Sequence, residues 1–257
     1  MKITDIKVYP VVPRIEGVMQ SMNVGWVFLV VETDEGISGV GECSNWPREG
    51  NILVAKAVQT IKAAVIGRDP KNIEALWQEL YRNYTYLGSR GLITTVISGI
   101  DIALWDIRGK ALGCPVYDLL GGPVRPDILL YTHPEYGPPQ AIAESCRRAV
   151  EAGYTALKTD PFREEMGKYH TARMSGVISR QGERRGAEII AAIRDAVGPE
   201  VEILIDAHGH YDVASAIRCA NILKPFDITW FEEPVPPESV EALRQVREAV
   251  DVRICVG

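Results

Sequence analysis

Four short apolar runs in the second half of the sequence end in polar residues that could do chemistry. The endings are Thr132-His133, Lys158-Thr159-Asp160, Asp206-Ala207-His208 and Glu232-Glu233. Carboxylates at the ends of neighbouring strands can hold a divalent cation such as Mg2+, which prefers oxygen ligands and keeps places for substrate and water. A lysine beside them can stabilise negative charge, and a histidine, which titrates near working pH, can move a proton. Each residue also has a plainer explanation. Asp206 reads equally as a helix-capping or strand-end carboxylate, Lys158 as an ion-pair partner of Asp160 or Asp206, and a lone His208 as a structural histidine. His208 stands two residues after Asp206, so the two share a side if the strand continues, whereas Glu233 should point away from Glu232. His208-x-His210 lacks a third nitrogen or sulfur ligand at suitable spacing, which sets zinc aside. His210 reads equally as a contact to substrate hydroxyls and as a solvated loop residue.

The elements that must position these residues follow from periodicity. From Ile128 onward, short apolar runs (Ile128–Tyr131, Ala156–Lys158, Val201–Ile205, Ile228–Phe231, Arg253–Val256) alternate with amphipathic stretches over 139–152, 184–197, 213–223 and 238–250. Strands alternating with helices mean parallel βαβ units, and in such folds the carboxyl ends of the strands face the active site. The first half differs. Ile3 to Val12, then Trp26–Val31 and Ile37–Gly41 around a Gly-containing turn, suggest an opening strand and a hairpin. Stripes at spacings of three and four over 52–66 and 92–110 suggest helices packed on them. The break at Leu119-Leu120-Gly121-Gly122-Pro123 places a boundary near 125–127. The expected fold class is α/β, an α+β module over 1–125 followed by an incomplete (β/α)8 barrel over 126–257. A complete barrel takes about 250 residues, and the residues after 125 suffice for about four βα units and a fifth strand. We therefore expect the N-terminal portion of a longer protein; the alternative is an open sheet that survives by oligomerising.

Composition excludes several classes. The 257 residues carry 28 Lys+Arg against 34 Asp+Glu, a net charge of −6, with 46% hydrophobic residues. This balance argues against a nucleic-acid partner, which needs clustered basic residues, and against disorder. No run is long and apolar enough for a membrane span, and the first residues have no apolar signal core. Five widely spaced cysteines without a C-x-x-C pair suit free thiols in a reducing compartment, so a cytoplasmic location is expected.

The run Ser98-Gly99-Ile100-Asp101-Ile102-Ala103-Leu104-Trp105-Asp106-Ile107-Arg108-Gly109-Lys110, followed by Leu112-Gly113-Cys114-Pro115 and Leu119-Leu120-Gly121-Gly122, resembles the capping-domain signature of the mandelate racemase/muconate lactonizing enzyme family of the enolase superfamily. Ala156-Leu157-Lys158-Thr159-Asp160-Pro161-Phe162, Ile205-Asp206-Ala207-His208-Gly209 and Trp230-Phe231-Glu232-Glu233-Pro234 resemble the family's barrel motifs in their order. The resemblance covers essentially the whole chain, and it makes the α+β module a capping domain.

The resemblance implies Mg2+ held by three carboxylates on successive strands. Asp206 and Glu232 match the first two, and the third would follow Gly257. It implies removal of the proton α to a carboxylate, giving an enediolate whose charge a divalent metal neutralises. The D-x-H-G arrangement resembles the acid-sugar dehydratases, in which His208 would help the β-hydroxyl leave. Lys158 would hold the substrate carboxylate. Asp160 stands where the racemase branch has a second lysine, which disfavours a two-base racemase and resembles the gluconate/galactonate dehydratase branch. Asp160 and His210 are the expected substrate contacts from the barrel. From the capping loops over 14–24 and 43–50, Arg14, Glu16, Trp46 and Arg48 are expected to contribute, Arg14 and Trp46 foremost. The expected activity is that of a Mg2+-dependent hydro-lyase acting on a small sugar acid and giving a 2-keto-3-deoxy acid, in a homo-oligomer. The alternatives are an epimerase or cycloisomerase of the same superfamily, or a non-catalytic fragment. For these 257 residues alone, weak Mg2+ binding and no turnover are expected.

Overall fold

The computed structural model of the chain describes residues 1–12, 25–45, 48–88, 90–163 and 175–257. Contacts divide it into two compact units, Met1–Pro126 and Asp127–Gly257.

The first unit is an antiparallel meander of β1 (Ile3–Val11), β2 (Trp26–Thr33) and β3 (Ser38–Glu42). Val27, Leu29, Val31 and Thr33 alternate inward along β2. Helices α1 (Arg48–Ile61), α2 (Ile73–Asn83) and α3 (Leu92–Leu112) cover the sheet, and the short α4 (Val116–Leu119) follows. Helix α3 packs against β3 over two glycines: a β-carbon on Gly39 would stand 2.0 Å from the Ala103 carbonyl oxygen, and one on Gly41 would stand 1.9 Å from that of Gly99. No other residue fits this approach, which is one physical reason for the glycines in the capping-type sequence. Asp106 on α3 accepts the Val40 amide at 2.8 Å and the Lys110 ammonium at 2.7 Å, fixing the helix along the edge of β3.

The second unit is a parallel sheet of β4 (Ala156–Thr159), β5 (Glu202–Asp206), β6 (Trp230–Glu232) and β7 (Ile254–Cys255), in that order. It alternates with α5 (Pro139–Glu151), α6 (Arg180–Val197), α7 (Val213–Leu223) and α8 (Val240–Ala249). Leu157, Ile203, Ile205 and Phe231 form a buried core with Ile142, Cys146, Ile189, Ile193, Cys219 and Val246 of the helices. Register then sets the opposite face. Lys158 lies beside Leu204, Leu204 beside Trp230, Asp206 beside Glu232, and Glu232 beside Cys255. Because side chains alternate, Lys158, Asp206 and Glu232 share the face turned from the helices, at the carboxyl ends. The chain is an α+β unit followed by an incomplete (β/α)8 barrel.

One expected strand does not form. Ile128–Tyr131 has no ladder of its own, and only Thr132 bridges to Leu157. Ile128, Leu129 and Leu130 are 77%, 67% and 65% exposed. An edge segment gains backbone bonds from one side only, and within these residues its apolar side chains meet no covering layer.

The amino ends of β5 and β6 are gathered by one side chain. The Arg194 guanidinium donates to the carbonyls of Gly198 (2.8 Å), Val201 (2.7 Å), Phe226 (3.0 Å) and Asp227 (2.9 Å). It thereby joins the loops that start the two strands carrying Asp206 and Glu232. We predict that Arg194→Met, which leaves these carbonyls without their donor, lowers unfolding stability by about 2–4 kcal/mol. Urea denaturation would check this, and an unchanged midpoint would contradict the assigned role.

Candidate active site

Lys158 is the hub of the carboxyl-end cluster. Its buried ammonium lies 2.9 Å from Asp206 Oδ2 and 2.9 Å from Glu232 Oε1. Two oxygens sharing one nitrogen cannot be farther apart than twice that distance, so the two carboxylates converge. Glu232 is steadied by its second oxygen, which accepts the Trp230 indole N–H at 2.9 Å. Burial works against the lysine charge, but the hydrogen bonds to Asp206 and Glu232 outweigh it and hold the pKa above its ordinary value. The three groups therefore carry one net negative charge around a fixed cation. Of the two ion pairs weighed from sequence, the one with Asp206 forms, and Glu232 joins it.

His208 arrives by a different route from the expected one. Strand β5 ends at Asp206, and the chain turns through His208 (φ 52) and Gly209 (φ 66). A left-handed residue with a β-carbon costs roughly 1–2 kcal/mol, and the bonds on either side hold it: Ala207 N donates to Glu232 O at 2.9 Å and Gly209 N to Glu233 O at 2.7 Å. Strand alternation thus does not place His208. The turn does, with Asp206 Oδ1 accepting the His208 amide at 3.2 Å. Glu233 is likewise left-handed (φ 43) and lies past the end of β6, so alternation does not govern it either. The His208 ring lies with Nδ1 3.5 Å from Asp206 Oδ1 and 3.7 Å from Asp160 Oδ2, and its side chain is 52% exposed.

Asp160 sits behind this imidazole. It is buried, and its Oδ1 accepts the Phe162 amide at 3.1 Å. Phe162 is locked in turn by close contact with Gly186, where a β-carbon would stand 2.1 Å from the ring, and by an edge contact with Tyr211 at 5.9 Å. Asp160 is the main cause that raises the His208 pKa; burial opposes it and Asp206 adds to it. His210 stays close, its ring centroid 6.0 Å from that of His208, but its Nδ1 is engaged with the Ala207 carbonyl at 2.8 Å. Arg14, Glu16 and Trp46 lie outside the described residues, as does the side chain of Arg48.

Tyr131, not singled out from the sequence, and His133, named there only as a strand-end polar residue, join the cluster. The Tyr131 ring stands with its centroid 5.3 Å from the Lys158 ammonium, and His133 meets Tyr131 edge-on at 5.8 Å. The signal was present: Tyr131 and His133 flank Thr132 at strand spacing, but Tyr131 was counted with the apolar run.

A resident Mg2+ can be tested against these residues. Asp206 and Glu232 offer the hard oxygen donors it prefers, and they already share one cation, Lys158. They fit as two of its ligands. Among the described residues, no group of three or more His, Cys, Asp or Glu is arranged to hold a metal ion.

Residues 4–121 match the mandelate racemase / muconate lactonizing enzyme N-terminal domain, and residues 141–257 match the enolase C-terminal domain-like family. The chain belongs to the mandelate racemase/muconate lactonizing enzyme family. It is 36% identical over 234 residues to the D-gluconate dehydratase of Thermoproteus tenax, covering 90% of this chain and 45% of that protein. It is 35% identical over 258 residues to the D-galactonate dehydratase of Variovorax paradoxus, covering 100% and 61%. The D-galactarolactone cycloisomerase of Agrobacterium fabrum is 32% identical over 267 residues, covering 100% and 65%. An enolase superfamily member from Salmonella Typhimurium superposes with a TM-score of 0.90 at 33% identity, over 100% of this chain and 67% of that one. The chain therefore spans about half to two-thirds of the length of these family members.

The Asp160–His208 pair generates a pH prediction. A folded pKa above 6.5 stabilises the fold fully below 6.5, and this contribution is lost as pH rises through the folded value. Asp160→Asn is expected to lower the His208 pKa by NMR titration. Its stability deficit against wild type should be larger at about pH 5.5 than at about pH 8.5. A deficit that grows with pH would contradict the pairing.

Proposed function

We propose that this chain carries part of the active site of a Mg2+-dependent sugar-acid dehydratase. The carrying observation is Lys158 bridging Asp206 and Glu232 at 2.9 Å each, with His208 3.5 Å from Asp206. The named dehydratase relatives support the same reaction class. Asp206 and Glu232 would hold the metal, which when bound supplies neutralisation of the charge that gathers on the substrate carboxylate as the α-proton leaves. Lys158 orients that carboxylate and shares its charge. His208, whose pKa Asp160 raises, gives its proton to the β-hydroxyl as the C–O bond breaks, so that water departs. The resulting enol tautomerises to the 2-keto-3-deoxy acid. We assign the α-proton base to no described residue. The five cysteines, all free thiols, suit a reducing compartment, and we propose the cytoplasm.

Two expected outcomes test this reading. Asp206→Asn or Glu232→Gln should weaken Mg2+ binding about tenfold or more in calorimetric titration. Lys158→Met should strengthen it, because the ammonium competes for the same two carboxylates; weaker binding in Lys158→Met would contradict the shared site. Assayed as the whole protein with a panel of sugar acids, the enzyme should release 2-keto acid, and His208→Asn should lose about 10^2–10^4-fold in turnover. Unchanged turnover in that variant would reject His208 as the acid. The cycloisomerase relative favours a second reading, an isomerase with the same metal pair. Solvent deuterium entering the α-carbon without loss of water would select it.

A further inference from the structure

We propose that His133 is a sugar-acid-binding residue of this site and that Tyr131 positions Lys158 within it, an inference that rests on the functional reading above. Thr132 is the one point at which the segment after Ile128 joins the sheet. Its amide donates to Ala156 O at 3.2 Å, and its carbonyl accepts the Lys158 amide at 2.9 Å. The parallel bridge pairs Thr132 with Leu157. Since Leu157 packs on the helices, alternation sends Tyr131 and His133 to the face that bears Lys158. The rings agree with this placement. Tyr131 lies at cation–π range of the ammonium, 5.3 Å from centroid to nitrogen. When the lysine leaves Asp206 and Glu232 for a ligand, this ring face remains a guide for it.

His133 stands edge-on to Tyr131, within the fields of Lys158, Asp206, His208 and Glu232. Burial chiefly, and then Lys158, lower its pKa, which favours the neutral imidazole. A neutral imidazole has one donor and one acceptor nitrogen, and among the described residues neither has a hydrogen-bond partner. That pair suits the hydroxyls of a polyhydroxy acid whose carboxylate lies against Lys158.

The chain has four histidines, so their imidazole NMR signals can be assigned by substitution. On adding Mn2+, the signals of His133 and His208 are expected to broaden together. Broadening of His208 without His133 overturns the proposal and leaves the metal pair standing; broadening of neither overturns both. With Mg2+ present, His133→Ala should bind D-gluconate about tenfold or more weakly, with Mg2+ affinity kept within about twofold. Tyr131→Phe should keep D-gluconate affinity and Tyr131→Leu should lose it. Equal D-gluconate affinity in His133→Ala, or an equal fall in Mg2+ affinity, overturns the assignment.

Discussion

A single ammonium held between two carboxylates organises the carboxyl end of this sheet. Lys158, Asp206 and Glu232 come from three adjacent strands, and their shared hydrogen bonds tie the ends of those strands together. Acidic side chains so close together repel each other unless a cation lies between them. Removing one partner of a buried charged set typically costs about 3–5 kcal/mol, because it leaves the others uncompensated. The lysine thus satisfies the site's demand for positive charge only in part: two carboxylates outweigh one ammonium, and the remaining negative potential is what a divalent cation would answer. His208 and Asp160 extend the arrangement, with a carboxylate–imidazole contact beside the first.

The scaffold separates this chemistry from its own stability. At the amino ends of β5 and β6, Arg194 gathers carbonyl oxygens from two loops, and no substrate group is needed there. Between the two ends, the apolar layer of Leu157, Ile203, Ile205 and Phe231 against the helices sets strand register. Register decides which carboxylates meet, since a slip of one residue would turn Asp206 or Glu232 into the core. The helix-side core is therefore a positional requirement of the polar face.

Much of this was legible in the residues. Apolar runs ending in Lys158, Asp206 and Glu232, separated by helical stripes, marked parallel strands with chemistry at their carboxyl ends, because burial and period are local properties of the sequence. Gly39 and Gly41 read from the sequence only as part of a hairpin; the close approach of α3 that requires them is a tertiary contact. What was not legible depended on tertiary partners. His208 reaches the cluster through a left-handed turn braced by Glu232 and Glu233 carbonyls, and no local pattern announces that turn. Ile128–Tyr131 has the composition of a strand, but a strand also needs neighbours, and composition does not count them. Tyr131 looked like core until its ring was seen against Lys158.

The central claim is that Asp206 and Glu232 converge on one cation site that Lys158 shares. It is tested most directly by anomalous diffraction from crystals of the protein grown with Mn2+. The account predicts one strong peak in contact with carboxylate oxygens of both Asp206 and Glu232, with the Lys158 ammonium displaced from at least one of them. A peak bound elsewhere, or Lys158 still bridging both carboxylates at saturating Mn2+, would contradict it.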